Sequence, residues 1–159
     1  MFTFTKKTDY ALLALSFLAT EGTERLIGPR EIAQRYDIPA ELLAKVMQTL
    51  ARHRLVLSVA GPTGGYRLAR PAVEISIADI VEAIDGPLAI AQCWEEAGSE
   101  GCQQAQHCHL RGPLARIQEQ MAEILRNMTL SEVLAPAAFR GKRFDHARPL
   151  AMLPIANSV

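Results

Sequence analysis

PREIAQRYDIPAELLAKVMQTLARH, residues 29–53, carries the spacing on which the fold turns. Pro29 suits the first turn of a short helix running to about Arg35. Ile32-Ala33, then Asp37-Ile38, then Leu43, Val46 and Leu50 follow with the spacing of a helix-turn-helix. Ala33 is small enough to let a second helix approach closely. Asp37 falls where the tight turn wants a left-handed backbone, which Gly adopts most cheaply and Asp or Asn tolerates. A helix from about Pro39 to His53 buries Ile38, Leu43, Val46 and Leu50. Its other face offers Glu41, Ala44, Lys45, Gln48 and Arg52 to solvent or to a major groove. By itself the pattern also suits a plain helical hairpin with a solvated polar face.

The continuation, RLVLSVAGPTGGYRL over residues 54–68, decides between them. Leu55-Val56-Leu57-Ser58-Val59 reads as a strand, Gly61-Pro62-Thr63-Gly64-Gly65 as a turn, and Tyr66-Arg67-Leu68 as the returning strand. A helix-turn-helix followed at once by a β-hairpin is a winged helix. The wing carries Arg67 and Arg70 towards phosphates or the minor groove.

Outward from this centre, residues 8–20 read as an apolar helix with Thr8 or Asp9 as N-cap. Ser76 caps a short helix to Ile84, with Asp79 in a capping-box position, and Asp85-Gly86-Pro87 stops it. Gly112-Pro113 opens another helix, in which Leu114, Ile117, Met121, Ile124 and Met128 recur at spacings of three and four. That is the seam of a two-stranded coil or a stripe packed on the chain's own core; a complete winged helix leaves little core to cover, so a partner chain is expected. The fold class is therefore mainly α with a small β-hairpin: a winged helix over 1–86, a cysteine-containing loop over 87–112, a dimerisation helix and turn over 113–134, and a mobile Ala- and Pro-rich tail over 135–159.

The bulk numbers agree with a globular protein of this size. The chain has 159 residues, 49% hydrophobic and 21% charged, with zero net charge. The charge is unevenly spread. Residues 1–70 hold ten Lys/Arg against six Asp/Glu, a balance of +4, and residues 71–159 hold seven against eleven, a balance of −4. A basic half is compatible with DNA contact at one end. No apolar run approaches the roughly 20 residues that span a bilayer. No signal-peptide pattern is visible, so the cytoplasm is the expected location.

Cys93, Cys102 and Cys108 are the only three cysteines, with His107 and His109 flanking the last. An odd number of clustered thiols in a reducing compartment points to metal ligation rather than a disulfide framework. The gaps are too long for one helix face and suit a loop wrapped around an ion or cluster. Three soft thiolates favour an iron–sulfur cluster, zinc or copper(I). Structural zinc usually shows a tight Cys-x2-4-Cys knuckle, absent here. A Cys3His zinc site through His107 or His109, or three inert buried cysteines, are the plainer readings. A Cys–His nucleophile lacks any accompanying oxyanion or substrate motif, so no enzyme is expected.

Four segments together resemble the IscR/NsrR family of bacterial iron–sulfur regulators over residues 1–134. They are Thr8-Asp9-Tyr10-Ala11, the wing turn from Gly61 to Leu68, the three cysteines, and Thr129-Leu130-Ser131-Glu132-Val133. The resemblance implies a homodimeric repressor or activator reading a pseudo-palindromic operator in double-stranded DNA. It also implies a [2Fe–2S] or [4Fe–4S] cluster on Cys93, Cys102 and Cys108, and the first cysteine gap looks most like the regulators of iron–sulfur assembly genes. The groove-facing candidates are Lys45, Gln48 and Arg52, with Thr63 and Arg67 at the wing. Arg111 stands where one branch has a histidine ligand, which leaves the fourth ligand to Asp9 of the other subunit, His107 or His109; Asp9 as a mere helix cap is the alternative. Ala60 replaces the arginine that often precedes the wing turn. A nitric oxide or redox sensor of the same architecture, and a zinc-structured or apo regulator, are the rival functions.

Overall fold

Thr5, in extended backbone, opens α1 (Lys6–Glu21): its hydroxyl accepts the Thr8 amide at 3.3 Å. The computed structural model to which these elements belong describes residues 3–22, 25–61, 63–90 and 107–135. The helix thus starts a turn earlier than its apolar pattern suggests. Thr8 and Asp9 are not its caps. Ala11, Ala14, Leu15 and Leu18 recur at spacings of three and four and are buried. That face packs against α3 (Ala40–Arg52) and α4 (Ile77–Asp85), with α2 (Pro29–Tyr36) alongside. Phe17 and Tyr36 lock α1 to α2 with rings 6.0 Å apart at 85°, the edge-to-face geometry aromatic pairs prefer.

β1 (Val56–Val59) and β2 (Gly65–Leu68) pair antiparallel, with Val56 opposite Leu68 and Val59 opposite Gly65. Val56 points into the core, whereas Leu57, Ser58 and Val59 are exposed. A third segment joins them. Ile27 and Tyr66 exchange both backbone hydrogen bonds, at 3.0 and 2.8 Å. Gly65 makes this approach possible, because a Cβ there would lie 2.7 Å from the Ile27 carbonyl oxygen. A single bridged residue has no alternation to read, so the sequence gives no strand at Ile27.

The Ser76 capping box on α4 forms as expected: the Ser76 hydroxyl accepts the Asp79 amide and the Asp79 carboxylate accepts the Ser76 amide, both at 3.0 Å. α5 (Arg111–Asn127) and α6 (Leu130–Leu134) follow the undescribed stretch. Their junction is sewn to the entry of α4, since Ile77 N–H donates to the Met128 carbonyl and Leu130 N–H to the Ile75 carbonyl, each at 2.8 Å. Leu130 is fully buried among the core residues. α6 carries its own capping box, and the Thr129 amide, then its hydroxyl, holds the Glu132 carboxyl below its usual range.

Candidate nucleic-acid interface and thiol segment

Asp37 takes the left-handed conformation expected of the turn, at φ 52° and ψ 43°. The Ile38 amide then folds back onto the Ala33 carbonyl at 2.9 Å, which ends α2 and aims the chain into α3. The Pro39 carbonyl accepts the amides of Leu42 and Leu43 at 3.0 Å and starts the second helix. α3 buries Leu43, Val46, Met47 and Leu50, each side chain contributing about 1.5–3 kcal/mol. The opposite side is solvent-facing: Glu41, Lys45, Gln48 and Arg52 are exposed and Ala44 is half-buried. Arg52 is held along the helix, its Nη2 donating to Thr49 Oγ1, which itself donates to the Lys45 carbonyl, both at 3.1 Å. The helix ends on a second left-handed residue, Arg54 at φ 56°. Leu55 N–H reaches the Leu50 carbonyl at 2.9 Å and Arg54 N–H the Ala51 carbonyl at 3.1 Å, a paired helix terminator usually built on glycine. Arginine carries no signal for that conformation, so this feature is not legible beforehand.

At the wing, Thr63 is exposed, and Arg67 is exposed opposite Leu57. Arg70 is paired within the chain. Its Nη2 donates to Asp79 Oδ2 at 2.7 Å, tying the strand exit to the first turn of α4. The reason is geometric: Asp79 Oδ2, the oxygen that accepts the Ser76 amide in the α4 capping box, also sits within reach of the strand exit and accepts both donors.

Cys108 is a free, exposed thiol, and His107 and His109 beside it are also exposed, just ahead of Leu110 at the N-cap of α5. Cys93 and Cys102 lie outside the described residues, as does the expected tail beyond residue 135. Among the described residues no three His, Cys, Asp or Glu side chains stand together as a metal set. Asp9 is exposed in the first turn of α1. Its neighbour Thr8 is fully buried, and here lies a contact the sequence reading missed. Thr5 and Thr8 donate their hydroxyls to the two oxygens of Asp85, at 2.7 and 2.6 Å. Asp85 reads as a helix stop in the sequence, yet it joins the start of α1 to the residue pair, Gly86-Pro87, from which the cysteine segment departs. Only the spacing of two threonines three apart hinted that both faced one way.

α5 buries none of its residues. Leu114 and Met121 are half-covered and Leu125 touches the core. Ile117 is 47% exposed, Ile124 62% and Met128 43%.

A model of the Rrf2 family, described as iron-dependent transcriptional regulators, matches residues 4–136. The chain belongs to the Rrf2 family. It is 36% identical over 130 residues to protein aau3 of Rhizobium meliloti, covering 82% of this chain and 83% of that one. It is 30% identical over 129 residues to the transcriptional regulator NsrR of Oceanobacillus iheyensis, with 81% and 87% covered. To IscR of Sodalis glossinidius it is 30% identical over 131 residues, with 82% and 78% covered. The solved structure of CymR, the global cysteine regulator of B. subtilis, superposes with a TM-score of 0.68 at 25% identity, covering 86% of this chain and 99% of that one. As a member of the Rrf2 family the chain is a DNA-binding transcriptional regulator with a winged helix, not an enzyme. No helix among the described residues is long and apolar enough to cross a membrane.

Proposed function

We propose that this Rrf2 protein is a homodimeric, cytoplasmic regulator that reports iron–sulfur cluster status to DNA, with iron–sulfur assembly genes as its targets. The observation that carries the DNA half is the outer side of α3. Glu41, Lys45, Gln48 and Arg52 line one exposed face, while the reverse face is locked in the core. In this reading α3 enters the major groove, with Lys45, Gln48 and Arg52 towards base edges and phosphates. Thr63 and Arg67 hold the flanking backbone from the wing. Two copies joined along the exposed apolar ridge of α5 (Ile117, Ile124, Met128) present two such helices to a pseudo-palindromic operator with half-sites one helical turn apart.

The donor chemistry fits a cluster. Three soft thiols fall within sixteen residues, and the described one, Cys108, is exposed and free rather than packed away in the core. Cys93, Cys102 and Cys108 would hold a [2Fe–2S] or [4Fe–4S] centre, with Asp9 of the other subunit, His107 or His109 completing it. The cluster would supply a link among those thiolates that depends on iron and redox state. What the chain itself contributes is placement: Asp85 ties the first turn of α1, which carries Asp9, to the end of α4.

Anaerobic purification of the full chain tests this reading. A brown protein containing iron and acid-labile sulfide, whose colour is abolished by Cys102→Ala or Cys108→Ala, is the expected result. A colourless protein with stoichiometric zinc overturns it. The redox-sensing alternative predicts a colourless, metal-free protein whose DNA affinity changes on thiol oxidation.

A further inference from the structure

We propose that Leu42 reads a thymine C5-methyl group, making it the apolar specificity residue of the operator half-site. The inference rests on α3 being the reading helix. Leu42 lies in the first turn of α3, beside Glu41, and is 44% exposed. It takes no part in the core, unlike its neighbour Leu43, which is fully buried, and it does not pack against the core's edge. A large aliphatic side chain left bare at the start of a helix whose exposed face continues with Lys45, Gln48 and Arg52 asks for an apolar partner. In a major groove the thymine methyl is the apolar group on offer, and the N-terminal residues of a recognition helix are the ones that reach base edges.

Two further observations place discrimination on this flank of α3. Thr49 lies two turns beyond Leu42 on the same flank, but its hydroxyl is already engaged by the Lys45 carbonyl and by Arg52. A base would therefore meet the leucine side chain before any free polar group there. At the wing, the described turn residues Ala60, Gly61, Thr63 and Gly64 contain no cation, so no arginine from that tip can read a narrow minor groove.

The test starts from the duplex that the full-length dimer selects out of a random library. Each thymine of that duplex is then replaced in turn by deoxyuridine, which removes only the methyl. At one position in each half-site the replacement should weaken binding of the unaltered protein by about four-fold, and by on the order of fifteen-fold when made in both. Leu42→Ala should lose the same factor on the thymine duplex and be indifferent to deoxyuridine; Leu42→Met should retain the discrimination. Lys45→Ala should weaken binding while keeping it. An unaltered protein indifferent to deoxyuridine everywhere, or a Leu42→Ala protein that still discriminates, overturns the assignment of Leu42 alone. Failure of the library to enrich any sequence overturns α3 as a reading helix and Leu42 with it.

Discussion

α3 and α5 are amphipathic helices of 13 and 17 residues, yet one hides four apolar side chains and the other none. The difference lies in what each faces. α3 is wedged between α2, β1 and α4, so Leu43, Val46, Met47 and Leu50 meet apolar atoms on every side. α5 lies along α4 and touches the core through Leu125, leaving Ile117, Ile124 and Met128 bare. A helix of this length is marginal in water without tertiary packing. The shorter helix is held by its own chain; the longer one leaves its apolar ridge exposed, the face proposed above for a second copy.

Replacing core and ridge residues should therefore act on different quantities. Leu50→Ala is expected to cost about 2–5 kcal/mol, because the surrounding helices cannot collapse into the space. Urea unfolding measures this, and a cost below about 1 kcal/mol would contradict the burial of α3. Ile117→Asp combined with Ile124→Asp should leave monomer stability nearly unchanged but weaken self-association on the order of a hundredfold. Sedimentation velocity reads that directly, and an unshifted dimer would remove the ridge from the interface.

Most of α3's environment was legible from spacing alone, since Ile38, Leu43, Val46 and Leu50 repeat with helical period and Asp37 marks the turn. The capping box at Ser76 and the hairpin between Leu57 and Arg67 were equally readable. What escaped were features with no residue pattern to read. The Ile27 bridge is one residue long, Arg54 adopts a backbone conformation its side chain does not advertise, and Arg70 reaches a carboxylate nine positions away. The candidate ligands divide in the same way. Their residue types were plain, but Cys93 and Cys102 lie outside the described residues, and only Cys108, His107, His109 and Asp9 have described surroundings.

Two smaller effects sharpen the contrast between the anchored core and its edges. Asp85→Ala strands the fully buried Thr8 hydroxyl and should lower stability by about 1–3 kcal/mol. Faster hydrogen exchange in the first turn of α1 would accompany it, and unchanged protection there would show that the clamp is not needed. The gentlest change is in pH. Glu132 has a folded pKa below its ordinary value of 4.5, set first by the Thr129 amide. Its contribution is therefore complete above that value and disappears as the pH falls through the lower, folded one. Amide protection at Thr129 and Glu132, measured relative to the intrinsic exchange rate at each pH, should fall over that acid range, whereas protection within α3 should not respond.

One carboxylate ties these edges together. α4 is fastened at its beginning to the α5–α6 junction and at its end, through Asp85, to the two threonines that begin α1. Nine residues thus behave as a crossbar riveted at both tips. A pull on the backbone at Gly86 cannot be absorbed by flexing a loop; it is passed through two short hydrogen bonds to the foot of the neighbouring helix. Mechanical load on the backbone leaving α4 is delivered to the scaffold that holds α3 in place.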